Sequence, residues 1–119
     1  NGKSLGLKLF KNQVETATKK KFTQLRVSAA GSGYDKSTYN GYYTWARFGY
    51  SFNADSQERF MRLMQSNNRS EKTIHELMAT KQGAAFWERN GHSFGGVFDL
   101  KKTSINQKSF KAYLKSRGY

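Results

Sequence analysis

Between residues 4 and 21 the apolar positions Leu5, Leu9, Phe10, Val14 and Ala17 recur every three to five residues, which puts them on one stripe of a helix. The run Lys19-Lys20-Lys21 closes that segment, and cations suit a helix C-terminus, where the backbone dipole is negative. The period then changes. In FTQLRVSAA, Thr23, Leu25 and Val27 alternate with Gln24, Arg26 and Ser28, predicting a half-buried strand over residues 22–30. Residues 30–43 mix Gly, Ser, Asp and Asn with tyrosines and read as a loop. TWARFGYSF reads as a short helical turn followed by a second strand over residues 47–52.

The second half carries mostly helical periods. Asp55 and Glu58, three apart, form a capping-box signature ahead of Phe60, Leu63 and Met64. Ser70 stands as the cap of a segment with Ile74, Leu77 and Met78, and SNNRS links the two. Residues 80–90 predict a short helix carrying Phe86 and Trp87, stopped by Asn90-Gly91 as a left-handed C-terminal cap. SFGGVFDL, residues 93–100, reads as a strand whose paired glycines mark a bulge or a close approach. From residue 106 to 117, Phe110, Tyr113 and Leu114 mark a last amphipathic helix, closed by Gly118. The fold class expected is α/β (α+β): a small mixed sheet flanked by helices, in a single domain spanning residues 1–119.

Charge alters this picture most. Twenty-one Lys and Arg stand against eight Asp and Glu, a net charge of +13, which attracts polyanions. RNA or DNA is the first partner to expect. The apolar fraction of 36% with nine Phe, seven Tyr and two Trp supports a folded core built on aromatic bulk. Cysteine is absent, which excludes disulfides and thiolate metal sites. No run of eighteen apolar residues exists, so a cytoplasmic protein without a membrane partner is expected.

Candidate chemistry begins at NGKSLG. A glycine-containing turn ahead of a helix can cradle phosphate oxygens with free backbone N–H groups, and Lys3 would add a cation. Turn, amphipathic helix, the strand FTQLRVSAA, a tyrosine-rich loop and WARFGY follow one another in an order that resembles the central and C-terminal part of the GNAT acyltransferase superfamily. The resemblance spans residues 1–52, with GKSLGLKLF and GYYTWARFGY its most distinctive pieces. Residues 53–119 then form a helical extension with the one strand near 93–100. In that family a loop of pattern Gln/Arg-x-x-Gly-x-Gly/Ala binds pyrophosphate, and a later aromatic-x-x-x-Gly-Phe element enters the next strand. The resemblance implies acetyl-CoA, or another acyl-CoA, held by Gly2, Lys3, Ser4, Leu5 and Gly6, with transfer of the acyl group to an amine on a nucleic-acid-associated acceptor.

Asn1 stands where the family pattern has Gln or Arg, and Ser4 where it has the middle Gly. Trp45 stands where these enzymes often carry the tyrosine that protonates the departing thiolate, a role an indole cannot fill. Tyr42 and Tyr43 are the nearby catalytic candidates. The family's preceding strands are missing, so the resemblance implies a parent chain or partner that supplies them.

Two readings from the residues alone stand beside this one. In the first, a basic nucleic-acid-binding or toxin-type domain works without cofactor: Lys19, Lys20, Lys21, Lys36 and Arg47 meet phosphates while the tyrosines of GYDKSTYNGYYTWARFGY stack bases. A nuclease version would assemble His75, Glu76, His92 and Asp99, but the spacing suggests no metal site, and the residues favour His75 as a solvated or half-buried helix residue, His92 as loop and Asp99 on the polar side of a strand. Against that, Trp45, Phe48 and Tyr50 read as core, with only the loop tyrosines exposed. In the second, the chain is a phage structural or interaction component.

Overall fold

The computed structural model describes residues 2–32 and 41–119, with side chains from residue 6 onward except those of residues 30–32. Among the described residues six helices and three strands follow in the order α1 (Gly2–Lys19), β1 (Gln24–Ser32), α2 (Gly41–Arg47), β2 (Ser51–Phe52), α3 (Ala54–Ser66), α4 (Ile74–Met78), α5 (Lys81–Asn90), β3 (His92–Asp99) and α6 (Ile105–Ser116). The α+β class read from the periods is what the chain adopts. The sheet has the order β1-β3-β2, and both pairings are antiparallel. Gln24 faces Asp99 and the register holds to Ala29 opposite Phe94, after which it shifts before Ser32 meets His92. Ser51 and Phe52 pair with Val97 and Gly96 on the other side of β3.

The alternation along β3 decides which face is covered. His92, Phe94, Gly96 and Phe98 are buried, whereas Ser93 and Asp99 are exposed. On the covered side two groups of rings meet. Phe10 of α1 packs against Trp45, Phe48, Tyr50, Phe98 and Phe110 with centroids 5.0–5.7 Å apart, tying α1 to α2, β3 and α6. Trp87 of α5 meets Tyr42, Phe52, Phe60 and Phe94. Such edge and tilted contacts add to the area that the rings remove from water.

Several local expectations change. The helix begins at Gly2, so Gly2, Lys3, Ser4, Leu5 and Gly6 lie within α1 rather than in a turn ahead of it. The cap of α3 is Asn53, whose side chain accepts from Ser56 N–H, with Asp55 in the first turn. The cap of α4 is Thr73, not Ser70, and its hydroxyl accepts from Glu76 N–H. Both caps sit next to the first helical residue, where a side-chain oxygen reaches the free amides of the first turn. Gly91 ends α5 in extended geometry, φ −67° and ψ 175°, rather than left-handed. His92 belongs to β3 and is buried, not loop. Gly49, at φ +103°, does take the left-handed region, as Gly118 does after α6, and it turns the chain from α2 into β2. Its missing Cβ also admits α6, since one there would stand 2.8 Å from Asn106 O.

Candidate anion-binding cleft

The C-terminal part of α2, the α4–α5 junction and one face of α6 enclose a cleft of about 770 Å³. That volume lies within the range of roughly 300–1,000 Å³ usual for ligand sites. Tyr43 and Arg47 come from α2 one turn apart, His75 and Met78 from α4, Thr80 and Lys81 from the start of α5, and Ser109, Tyr113, Ser116 and Arg117 from α6 and its end. Three of these residues are permanent cations and none is a carboxylate.

Arg47 is held by two aromatic faces, its guanidinium carbon 5.1 Å from the centroid of Tyr43 and 4.8 Å from that of Tyr113. Stacking fixes a planar guanidinium without using its N–H donors. Its Nε is buried and has no hydrogen-bond partner among the described residues. The ion pairs among the described residues involve Lys11, Arg62 and Arg69, so no described carboxylate pairs with Arg47, Lys81 or Arg117.

Behind the cations runs a polar relay. Asn106 Oδ1 accepts from Asp99 N–H at 3.0 Å, which settles the orientation of its amide, and Nδ2 donates to Gly49 O at 2.7 Å and to Ser51 Oγ at 2.8 Å. Ser51 Oγ also lies 2.8 Å from His75 Nε2, and Ser109 Oγ lies 3.2 Å from His75 Nδ1. Burial pushes His75 below its usual pKa, so the ring is neutral at pH 7, one nitrogen donating and the other accepting. In the tautomer that carries the ring proton on Nδ1, the Ser51 hydroxyl donates to Nε2 and Nδ1 donates to Ser109 Oγ. The Ser109 hydroxyl hydrogen is left for the cleft, because Ser109 has no other partner among the described residues.

The residues singled out in the sequence scatter around this site. Tyr43 and Arg47 line the cleft. Tyr42 does not: it is fully buried against Trp87, and its hydroxyl donates to Glu88 O. Gly2, Lys3, Ser4, Leu5 and Gly6 lie within α1, and Gly6 is not a lining residue. Lys19, Lys20 and Lys21 are exposed at the end of α1, and Lys36 lies outside the described residues. His75, Glu76, His92 and Asp99 are not drawn together: His92 packs on Trp87, Glu76 caps the start of α4, and Asp99 accepts from Lys101 N–H. Among the described residues no three acidic or histidine side chains are placed to hold a metal ion.

Sequence reading missed Lys81, Ser109, Tyr113 and Arg117 as a group. One signal was present: Lys108, Lys111 and Lys115 form an exposed stripe on α6, and by the helical period Ser109, Ala112 and Ser116 run beside it. The basic stripe therefore borders a cleft wall. Among the described residues no helix is long and apolar enough to cross a membrane. No protein-family model, curated protein or solved structure matches the chain.

Proposed function

We propose that this protein binds nucleic acid, with the α2–α4–α6 cleft and the lysine stripe of α6 as its contact surface. The observation that carries the reading is that Arg47, Lys81 and Arg117 converge on one cleft with no carboxylate among its described lining residues. Proteins neutralise clustered cations with acids unless an anionic ligand does so, since like charges repel. A chain of net charge +13 that leaves this cluster unpaired is suited to a polyanion. Tyr43 and Tyr113 add aromatic surface beside Arg47, the combination single-stranded nucleic acid exploits. The acyl-transfer expectation gains no support from the cleft. Its cofactor residues lie within α1 rather than in a turn ahead of it, and of its two tyrosines only Tyr43 reaches the site.

Fluorescence anisotropy with a labelled single-stranded RNA and its DNA counterpart, titrated across salt concentration, tests the proposal. Three phosphates neutralised in the cleft give a log–log slope of about −2, with further lysine contacts making it steeper. Affinity that does not change with salt, or no binding at low salt, overturns it. A thermal shift with millimolar acetyl-CoA separates the competing reading, because a ligand at about a hundred times its Kd adds about 2.7 kcal/mol.

A further inference from the structure

Resting on the nucleic-acid reading, we propose that the cleft is a subsite for a phosphate monoester, the terminal phosphate of a nucleic-acid strand. Two groups on its inner wall have donors without acceptors among the described residues: the guanidinium of Arg47, held between Tyr43 and Tyr113, and, in the tautomer that carries the His75 proton on Nδ1, the hydroxyl of Ser109. Both belong to half-buried side chains, whereas Lys81 and Arg117 are exposed. The donors therefore stand at two depths. A ligand that meets all of them needs several acceptor oxygens on one centre and must enter end-first.

A monoester fits that requirement better than an internal phosphodiester. It has three unesterified oxygens instead of two, carries up to two charges near neutral pH, and has a single substituent, so the strand leaves by the mouth of the cleft. The inner oxygens accept from the Arg47 guanidinium and Ser109 O–H, and the outer one faces Lys81 and Arg117. His75 adds no charge at pH 7. It acts as a positioning residue, holding the Ser109 oxygen as acceptor so that its hydrogen is free for the phosphate. The lysine stripe of α6, along the same wall, then meets the following phosphodiesters.

The test compares three single-stranded oligonucleotides of one sequence, bearing a 5′-phosphate, a 3′-phosphate or neither, by anisotropy at fixed salt. One phosphorylated end is expected to bind about tenfold tighter than the unphosphorylated strand, the gain of a charge-assisted hydrogen bond set. That gain should disappear in Ser109→Ala and in Arg117→Gln. Arg117 is exposed, so its variant remains informative if Ser109→Ala disturbs packing, and a thermal melt of each variant verifies folding. Equal affinity for all three strands overturns the subsite and leaves the nucleic-acid reading standing; failure of every strand to bind at low salt overturns both. A preference for a phosphorylated end that survives in both variants places the phosphate elsewhere and also overturns it. If a mononucleotide competes as well as the phosphorylated strand, the ligand is a free nucleotide and the strand-end assignment falls.

Discussion

Asn106 on α6 donates to Ser51 on β2 at 2.8 Å and to Gly49 O at 2.7 Å, while its own carbonyl accepts from Asp99 N–H of β3. One buried amide thus satisfies backbone groups of two chain segments and starts the relay that orients His75. Removing it strands several buried polar groups, each costing about 1–3 kcal/mol. Asn106→Ala is expected to destabilise the fold by about 3 kcal/mol in urea unfolding. Asn106→Asp keeps the acceptor but turns the donor into a second acceptor facing Gly49 O, and should be at least as damaging. A loss under about 1 kcal/mol for both variants would refute this role.

Gly91 closes α5 directly over the Tyr42 ring. A Cβ there would lie 2.3 Å from Tyr42 Cε1 and 2.6 Å from Trp87 O. Its backbone is in a region any residue adopts, so the cost of Gly91→Ala is steric and should be about 1–3 kcal/mol. In a Tyr42→Leu background the same substitution should cost less, because the ring that obstructs it is gone. An unchanged penalty would assign the clash to the Trp87 carbonyl alone. This pair forms a double-mutant cycle measurable by chemical denaturation.

Tyr42 and Tyr43 are adjacent in sequence but have different tasks. Tyr42→Phe removes the bond from its hydroxyl to Glu88 O and should lower stability by about 1 kcal/mol, leaving nucleic-acid affinity unchanged. Tyr43→Ala takes away one face of the Arg47 stack and should weaken binding by about three- to tenfold at low salt. The opposite assignment of the two effects would show that the cleft is not the contact surface.

Burial pushes both His75 and His92 below the usual histidine pKa. The sign follows from proton counting. Between the depressed folded values and the ordinary unfolded value of about 6.5, the unfolded chain binds more protons than the native one. Stability is therefore level above roughly pH 7.5 and falls as pH drops through 6.5, with the loss complete below the folded values. The melting temperature should decrease from pH 7.5 to pH 5, and less steeply in His75→Gln. A melting temperature that rises on acidification over this window would contradict neutral burial of these rings.

Much of the fold was legible because its elements carry unambiguous periods. The stripe Leu5, Leu9, Phe10, Val14, Ala17 marked α1, the alternation around Leu25 and Val27 marked β1, and SFGGVFDL marked β3, each within a few residues of the observed bounds. Caps were less legible. Asp55 and Ser70 carry the right chemistry, but Asn53 and Thr73 stand at the residue where the backbone enters the helix, which depends on where the preceding segment leaves the sheet. The left-handed stop expected at Gly91 became an extended one because β3 begins immediately and its backbone must already be straight.

The sequence by itself determined the α+β class, the aromatic core and the cationic balance, since periodicity, ring content and charge are properties of the chain as written. Only the tertiary structure decided what the cations do. Arg47, Lys81 and Arg117 lie on three separate helical segments, and their convergence with no described carboxylate beside them exists only once α2, α5 and α6 pack around the Phe10 and Trp87 rings. The same packing divided two neighbouring tyrosines between core and cleft, because consecutive residues on a helix point about 100° apart and α2 has one face against each.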